Sequence, residues 1–182
     1  SPFFYIIDEK NGLFVYPLSE WLKHPLDYLY GNFHAIIGWY IKYLSIPFLF
    51  FAVFAFFIRK SLPEKLLLLV WSLAPFVALG IFGKTLYPRF IFFMTVPLII
   101  LGAFTIYNLM ERFKNILISV VILLLATSFM LYADYFIIFK ITHAPLPQAD
   151  LGQYINSWPA GGGVSEMVEF FESESKKGKI YV

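Results

Sequence analysis

Two basic residues and a tyrosine lie close together in a short polar stretch at 83–89, between two long apolar runs. The basic residues are Lys84 and Arg89, and Tyr87 lies between them. An arginine guanidinium can hold a phosphate through two parallel hydrogen bonds, and a lysine ammonium adds a point charge. The same residue types also anchor helix ends at a membrane surface. We interpret the stretch as a candidate phosphate-binding loop, with interfacial anchoring as the alternative.

The composition indicates that lipid surrounds much of the chain. Of its 182 residues, 59% are hydrophobic and 14% are charged, compared with about 25% charged residues in soluble domains. A membrane-spanning helix needs about 20 consecutive apolar residues. Four segments fit this requirement, at 36–58, 66–82, 90–110 and 116–136. The predicted fold class is therefore an all-α polytopic membrane protein, and a net charge of +2 gives no reason to expect nucleic acid as a partner.

Basic residues in the loops predict how these helices are oriented. The loop at 59–65 carries three cations and the loop at 111–115 carries two, whereas the loop at 83–89 carries two. Cytoplasmic loops are enriched in lysine and arginine, so we expect the first and last loops in the cytoplasm. The chain is then a multi-pass integral membrane protein with both ends and the middle loop extracytoplasmic. Pro75 and Pro97 are expected to kink the two helices that flank the middle loop.

The segments outside the four helices are more polar. Residues 1–34 are predicted to form an extracytoplasmic loop, within which 18–33 has the spacing of an interfacial helix that His24 and Pro25 interrupt. Residues 140–182 are predicted to be a linker and the beginning of an extracytoplasmic α/β domain, with a helix at 164–175 and a first strand at 179–182. Because the chain starts without methionine and ends on that strand, we expect it to be a fragment of a longer protein.

Several other residues could carry chemistry, but their patterns are less specific. Asp8 and Glu9 form either an acidic catalytic motif or a solvated turn, and Asp134 is either an intramembrane carboxylate or the outer end of its helix. Three glycines at 161–163 precede a helix, which fits an anion site or a plain turn. The chain has no cysteine, and metal-ligand spacing is absent from its three histidines, His24, His34 and His143. Neither a metal nor a cofactor is predicted from these residues.

A longer pattern around the candidate loop resembles a known family. The sequence KTLYPRFIFFMTVPLIILGA at 84–103 places a basic residue and an aromatic at the end of a loop, a proline in mid-helix, and small residues after it. The residues at these positions are Arg89, Phe90, Pro97, Gly102 and Ala103. The flanking segments PLSEWLKHP at 17–25 and DLGQYINSWPAGGGVSE at 150–166 occur in the matching order. Together they resemble GT-C glycosyltransferases of the protein O-mannosyltransferase and aminoarabinose transferase type.

The resemblance implies a polytopic enzyme that takes a sugar from a polyprenyl-phosphate donor and transfers it, with inversion, to an acceptor on the extracytoplasmic side. It implies that Lys84, Tyr87 and Arg89 bind the phosphate of the lipid donor. The catalytic acidic residue of the family lies in the first outward loop, which is expected upstream of this fragment, as are the ligands of any divalent metal. The expected partners are the lipid bilayer, the sugar donor and an acceptor that the sequence does not identify.

Two other functions stay open on the sequence alone. A transporter or channel subunit could use Pro75, Pro97, Gly80 and Gly83 to interrupt helices around a substrate. Against a transporter, no histidine or carboxylate falls in the middle of a predicted span. The chain could also be the membrane anchor of an extracytoplasmic domain that has its own activity.

Overall fold

The computed structural model describes residues 11–156 and 163–178, and within these ranges the regular structure is helical. We number the α-helices that lie wholly within them in chain order. Their bounds are α1 Leu18–Trp21, α2 Leu29–Leu44, α3 Ile46–Phe54, α4 Leu62–Phe82, α5 Phe92–Phe113, α6 Ile116–Phe139, α7 Gln148–Leu151 and α8 Val164–Ser175. Shorter turns are 3₁₀-helical at Ala55–Phe57, Pro88–Ile91 and Ile141–His143, and π-helical at Gly152–Asn156.

Three helices are long and apolar enough to cross a membrane. They are α4 with 21 residues, α5 together with its preceding turn with 26 residues, and α6 with 24 residues. At 1.5 Å per residue, even the shortest is roughly 31 Å long, which matches a hydrocarbon layer of about 30 Å. The prediction of several helices that are long and apolar enough to span a membrane is therefore confirmed within the described residues. A bent pair of helices provides a fourth candidate.

The first predicted span, 36–58, is not one continuous helix. The chain breaks at Ser45, and the axes of α2 and the following segment 46–57 meet at 98°. Ser45 has a φ of 68° and a ψ of 153°, a conformation that is usually left to glycine, and its hydroxyl accepts a hydrogen bond from the N–H of Phe48. Pro47 lies in the first turn of the following helix, where its missing N–H needs no partner, and this position together with the Ser45 cap favours a helix start here. The pair is either a broken span or a re-entrant segment.

The core lies where α2, α3 and α5 meet. Phe48 of α3 rests on Gly102 of α5, where an added Cβ would lie 2.7 Å from the phenylalanine ring. The glycine therefore allows the two helices to approach closely. The larger buried side chains of this core are Ile36, Tyr40, Leu44, Phe48, Ile91 and Met94. Most of the α6 surface is apolar and exposed, which is typical of a helix that faces lipid.

Pro75 and Pro97 lie inside α4 and α5, which continue through both positions. The hydroxyl of Ser72 in α4 donates a hydrogen bond of 3.0 Å to the carbonyl of Met94 in α5. Met94 lies in the turn before Pro97, whereas the carbonyl that loses its backbone donor to the proline is that of Phe93, four residues earlier. Hydrogen bonds from polar side chains of one helix to a neighbouring helix are common in membrane proteins. This bond also joins the two helices that flank the candidate loop.

The chain divides after Pro147 into two compact units. In the second unit, the described residues form α7, the π-helical turn and α8. The predicted helix at 164–175 is confirmed, and Gly163 precedes it with a φ of 84°. The glycines at 161–162 and the predicted strand at 179–182 lie outside the described residues. The described part of this unit contains helices and turns, so the α/β character expected from the sequence stays a prediction.

Candidate functional site

The candidate loop, residues 83–89, begins at the carboxyl end of α4. Side chains from residues 11–34, which we call the N-terminal segment, cap that end. Nδ2 of Asn32 donates to the carbonyl oxygens of Gly83 and Gly80 at 2.8 and 3.1 Å. Nε1 of Trp21 donates to the carbonyl of Ile81 at 3.0 Å. The last four carbonyls of a helix have no partner within the helix. Asn32 and Trp21 therefore fix the point from which the candidate loop leaves α4.

The first residues of the candidate loop also pair with the N-terminal segment through the backbone. The N–H of Lys84 donates to the carbonyl of Phe14 at 2.9 Å, and Val15 and Gly83 form an isolated antiparallel bridge. Gly83 is required by packing, since an added Cβ would lie 2.5 Å from the carbonyl oxygen of Leu79. The N-terminal segment and the candidate loop thus lie at the same end of the helical unit.

The Lys84 side chain turns toward the N-terminal segment. Its Nζ lies 3.3 Å from the carbonyl oxygen of Gly12 and 5.3 Å from the centroid of the Tyr16 ring. A cation over an exposed aromatic ring gains about 0.5–1 kcal/mol. The ammonium stays exposed, and no carboxylate of the described residues lies within ion-pair distance of it. Within the described residues, its charge is therefore held in position without an ion-pair partner.

Tyr16 belongs to a small aromatic cluster. Its ring stacks on Tyr28 with the centroids 5.0 Å apart, and it meets the edge of His24 at 5.3 Å. A hydrogen bond with Tyr28, together with burial, raises the pKa of the Tyr16 hydroxyl to about 12. Tyr16 is therefore neutral at physiological pH and brings no negative charge next to Lys84.

Arg89 lies at the other end of the candidate loop. Its Cζ is 4.9 Å from the centroid of the Tyr87 ring and 5.6 Å from that of Phe90. Pro88 and Ile91, in the same 3₁₀ turn, are buried and fix the backbone that carries the arginine. The guanidinium is exposed and forms no ion pair within the part of the chain that the structure describes. Its N–H groups are therefore available to an anion.

Phe14 connects the two halves of the candidate loop. Its ring meets the edges of Tyr87 and Phe90 at centroid distances of 6.4 and 5.6 Å. Tyr87 and Arg89 thus share one aromatic cluster with Phe14 and Phe90. The Lys84 side chain lies over Tyr16, which packs instead against Tyr28 and His24. Two cavities formed by described residues, of about 720 and 340 Å³, are lined by other side chains. Within the candidate loop, Lys84 and Arg89 are exposed and Tyr87 is half-buried.

The remaining candidate residues are dispersed. Asp134 is exposed near the carboxyl end of α6, and Asp8 and Glu9 lie outside the described residues. The three histidines contact different neighbours: His24 packs against Tyr16 and Tyr28, His34 against Tyr30, and His143 against Thr142. No group of three histidines or carboxylates that could hold a metal ion occurs within residues 11–156 and 163–178.

Sequence reasoning missed three residues that organise this unit. Asn32 and Trp21 cap α4. Their signal was a side-chain N–H within the predicted interfacial helix, because such a donor needs a hydrogen-bond partner wherever it leaves water. Lys65 was counted only as a loop cation. Its side chain is 2% exposed, and its ammonium donates to the carbonyl of Ala55 at 2.8 Å and to that of Ile58. Lys65 thus closes the end of the bent pair from the first turn of α4.

Comparison with known proteins does not assign a family. No family model, curated protein or solved structure matches this chain. The likeness to GT-C glycosyltransferases therefore rests on the residues and their order alone, and the function has to be argued from the chemistry of the candidate loop.

Proposed function

We propose that this chain is part of an integral membrane glycosyltransferase of the GT-C type. In this proposal a sugar passes from a polyprenyl-phosphate donor to an acceptor on the extracytoplasmic side. The observation that carries it is Arg89, an exposed guanidinium at a helix end, held beside the rings of Tyr87 and Phe90. It has no ion-pair partner among the described residues. The order of the three sequence segments that resemble the family supports the same function.

The proposed chemistry follows from the charge that develops on the leaving group. The acceptor atom bonds to the anomeric carbon and gives its proton to the catalytic carboxylate expected upstream of this fragment. The bond between the anomeric carbon and the phosphate oxygen breaks, and both of its electrons stay on the lipid phosphate. Cationic donors aimed at that oxygen stabilise the transition state. Arg89 supplies two parallel N–H groups, and the Tyr87 ring limits how the guanidinium can turn. Lys84 contributes less, because its ammonium already contacts the carbonyl of Gly12.

The test is sugar transfer by the intact protein from a polyprenyl-phosphate sugar in defined vesicles. A hydrogen bond to a charged group contributes about 1.5–3 kcal/mol, so we expect Arg89→Ala to lower turnover or donor affinity by roughly ten- to hundred-fold. Lys84→Ala should lower it by a smaller factor. Lys23→Ala removes an exposed cation of the N-terminal segment and serves as the matched control. Unchanged transfer in Arg89→Ala, or an equal loss in Lys23→Ala, contradicts the proposal.

The proposal also requires the candidate loop on the extracytoplasmic side. Reporter fusions at Ser61 and Thr85 place a tag in two loops that one helix, α4, separates. We expect the Thr85 fusion to report an extracytoplasmic position and the Ser61 fusion a cytoplasmic one. The opposite result would remove the donor site from the side where the acceptor is expected.

One observation favours a transporter as the second candidate. The 98° bend between α2 and the following segment is of the kind that surrounds substrate sites in transporters with broken helices. A transporter would move a solute across vesicles in the absence of any lipid-linked sugar. Glycosyl transfer without such movement favours the enzyme.

A further inference from the structure

A basic cavity lies at the end of the helical unit opposite the candidate loop. It has a volume of about 720 Å³ and lies between the end of the bent pair and the last turns of α5. Its charged lining consists of Arg59, Lys60, Arg112 and Glu111. The lining therefore carries three cations and one carboxylate. The volume of the cavity is within the range of about 300–1,000 Å³ that is typical of ligand sites.

Within the described residues, the cations of this cavity form no ion pair. All four charged side chains are exposed, and none of them pairs with another within the described ranges, where the ion pair that forms is Lys177–Glu174 in the second unit. The excess of positive charge is thus left for an external anion. Both α5 and the bent pair end here, so they present carbonyl groups and the negative ends of their dipoles. Anion binding then depends on the side-chain cations themselves.

Apart from the amide of Asn108, the other walls of the cavity are apolar. Phe57 and Phe113 line it and are 74% and 49% exposed. Phe54 and Leu109 complete the apolar lining. A soluble phosphate compound would leave such walls in water, whereas a lipid carries apolar chains beside its phosphate. Basic pockets of this kind between membrane helices suit anionic headgroups.

Lys65 fixes one wall of the cavity from behind. Its buried ammonium donates to the carbonyls of Ala55 and Ile58, and it lies 5.4 Å from the centroid of the Phe104 ring. Ile58 lines the cavity directly before Arg59. Contacts with α4 and α5 therefore hold the backbone from which the side chains of Arg59 and Lys60 extend.

From these observations we infer a binding site for an anionic phospholipid. Its phosphodiester headgroup lies among Arg59, Lys60 and Arg112, and its chains run along Phe57 and Phe113. The site is separate from the proposed donor site, because the two sites lie at opposite ends of α4 and α5. The lipid belongs to the leaflet that faces the loops 58–61 and 114–115, which is the leaflet opposite the candidate loop.

The test is native mass spectrometry of the intact protein released from nanodiscs that contain equal amounts of phosphatidylglycerol and phosphatidylcholine. We expect the wild type to retain phosphatidylglycerol preferentially, and Arg112→Gln and Arg59→Gln each to lower this retention by about tenfold, as for one lost charge-assisted hydrogen bond. Lys114→Gln is the matched control. Lys114 is exposed, lies two positions after Arg112 and does not line the cavity, so retention should stay within about twofold.

Three results would overturn the inference. Equal retention of the two lipids by the wild type would show that charge is not recognised. An equal loss of phosphatidylglycerol retention in Arg112→Gln and Lys114→Gln would show that the lipid responds to the general positive charge of the surface and not to the cavity. Displacement of phosphatidylglycerol by millimolar inorganic phosphate would identify a soluble anion as the ligand. The thermal unfolding temperature of each variant should match that of the wild type, because these side chains are exposed. If Arg112→Gln is destabilised, Arg59→Gln becomes the deciding variant.

Discussion

Replacement of Asn32 by alanine tests whether the N-terminal segment holds the end of α4. The partly buried Asn32 amide lies 2.8 Å from the carbonyl oxygen of Gly83, 3.1 Å from that of Gly80 and 3.4 Å from that of Leu79. An amide nitrogen has two hydrogens, so the two shorter contacts are the stronger bonds. Alanine removes both donors and is compatible with the surrounding helix α2.

The expected magnitude follows from these contacts. A hydrogen bond contributes about 1 kcal/mol net, so the two bonds give roughly 2 kcal/mol. A buried carbonyl that loses its partner adds about 1–3 kcal/mol, and these carbonyls are only partly buried. We therefore expect the free energy of unfolding to fall by about 2–4 kcal/mol, which is a roughly 30- to 900-fold change in the unfolding equilibrium constant.

The measurement is unfolding of the intact protein in mixed micelles by increasing dodecyl sulfate. Asn108→Ala is the matched control, because the Asn108 amide donates at 2.8 Å to the carbonyl of Phe104 within its own helix. That carbonyl keeps its helical backbone partner, so the control should change stability by less than about 0.5 kcal/mol. Equal destabilisation in both variants, or none in Asn32→Ala, would refute the view that the N-terminal segment caps α4.

Two further substitutions test the packing around the candidate loop. Gly80→Ala should destabilise the protein by about 1–3 kcal/mol, because the new Cβ would lie 2.0 Å from the Phe33 ring. Gly38→Ala has open space around it and should be neutral or slightly stabilising in the same unfolding assay. Ser72→Ala removes a hydrogen bond between α4 and α5 and should cost about 0.5–1.5 kcal/mol. Thr127→Val is the control, because it removes a hydrogen bond within α6. If Thr127→Val lowers the free energy of unfolding as much as Ser72→Ala, the contact between α4 and α5 has no special role.

The candidate site was only partly predictable from the sequence. The types of Lys84, Tyr87 and Arg89 and their position between two apolar helices followed directly from the chain. Their environment did not, because it is built by Phe14 and Tyr16, which the sequence gives no reason to place there. The lipid-phosphate role of these residues stays a prediction that the transfer assay decides.

The break at Ser45 shows that a prediction from average hydropathy can miss a local signal. Hydropathy averages over many residues, so 36–58 read as one span. The serine followed two positions later by Pro47 is a helix-start pattern, and this pattern was present in the sequence. The structure follows the pattern at this position, where the Ser45 cap and Pro47 act together, whereas α4 and α5 continue through Pro75 and Pro97.

The sequence by itself determined that most of the chain consists of apolar helices suited to lipid, and that short loops carry the cations between them. That property is local, since every backbone group of a helix finds its partner within the segment and only length and composition decide whether it can cross. Only the tertiary structure decided which groups meet. Asn32 and Gly83 are 51 positions apart and Trp21 and Ile81 are 60 apart, and Arg59 and Arg112 line one cavity. Such contacts depend on how the helices pack, which no single stretch of sequence encodes.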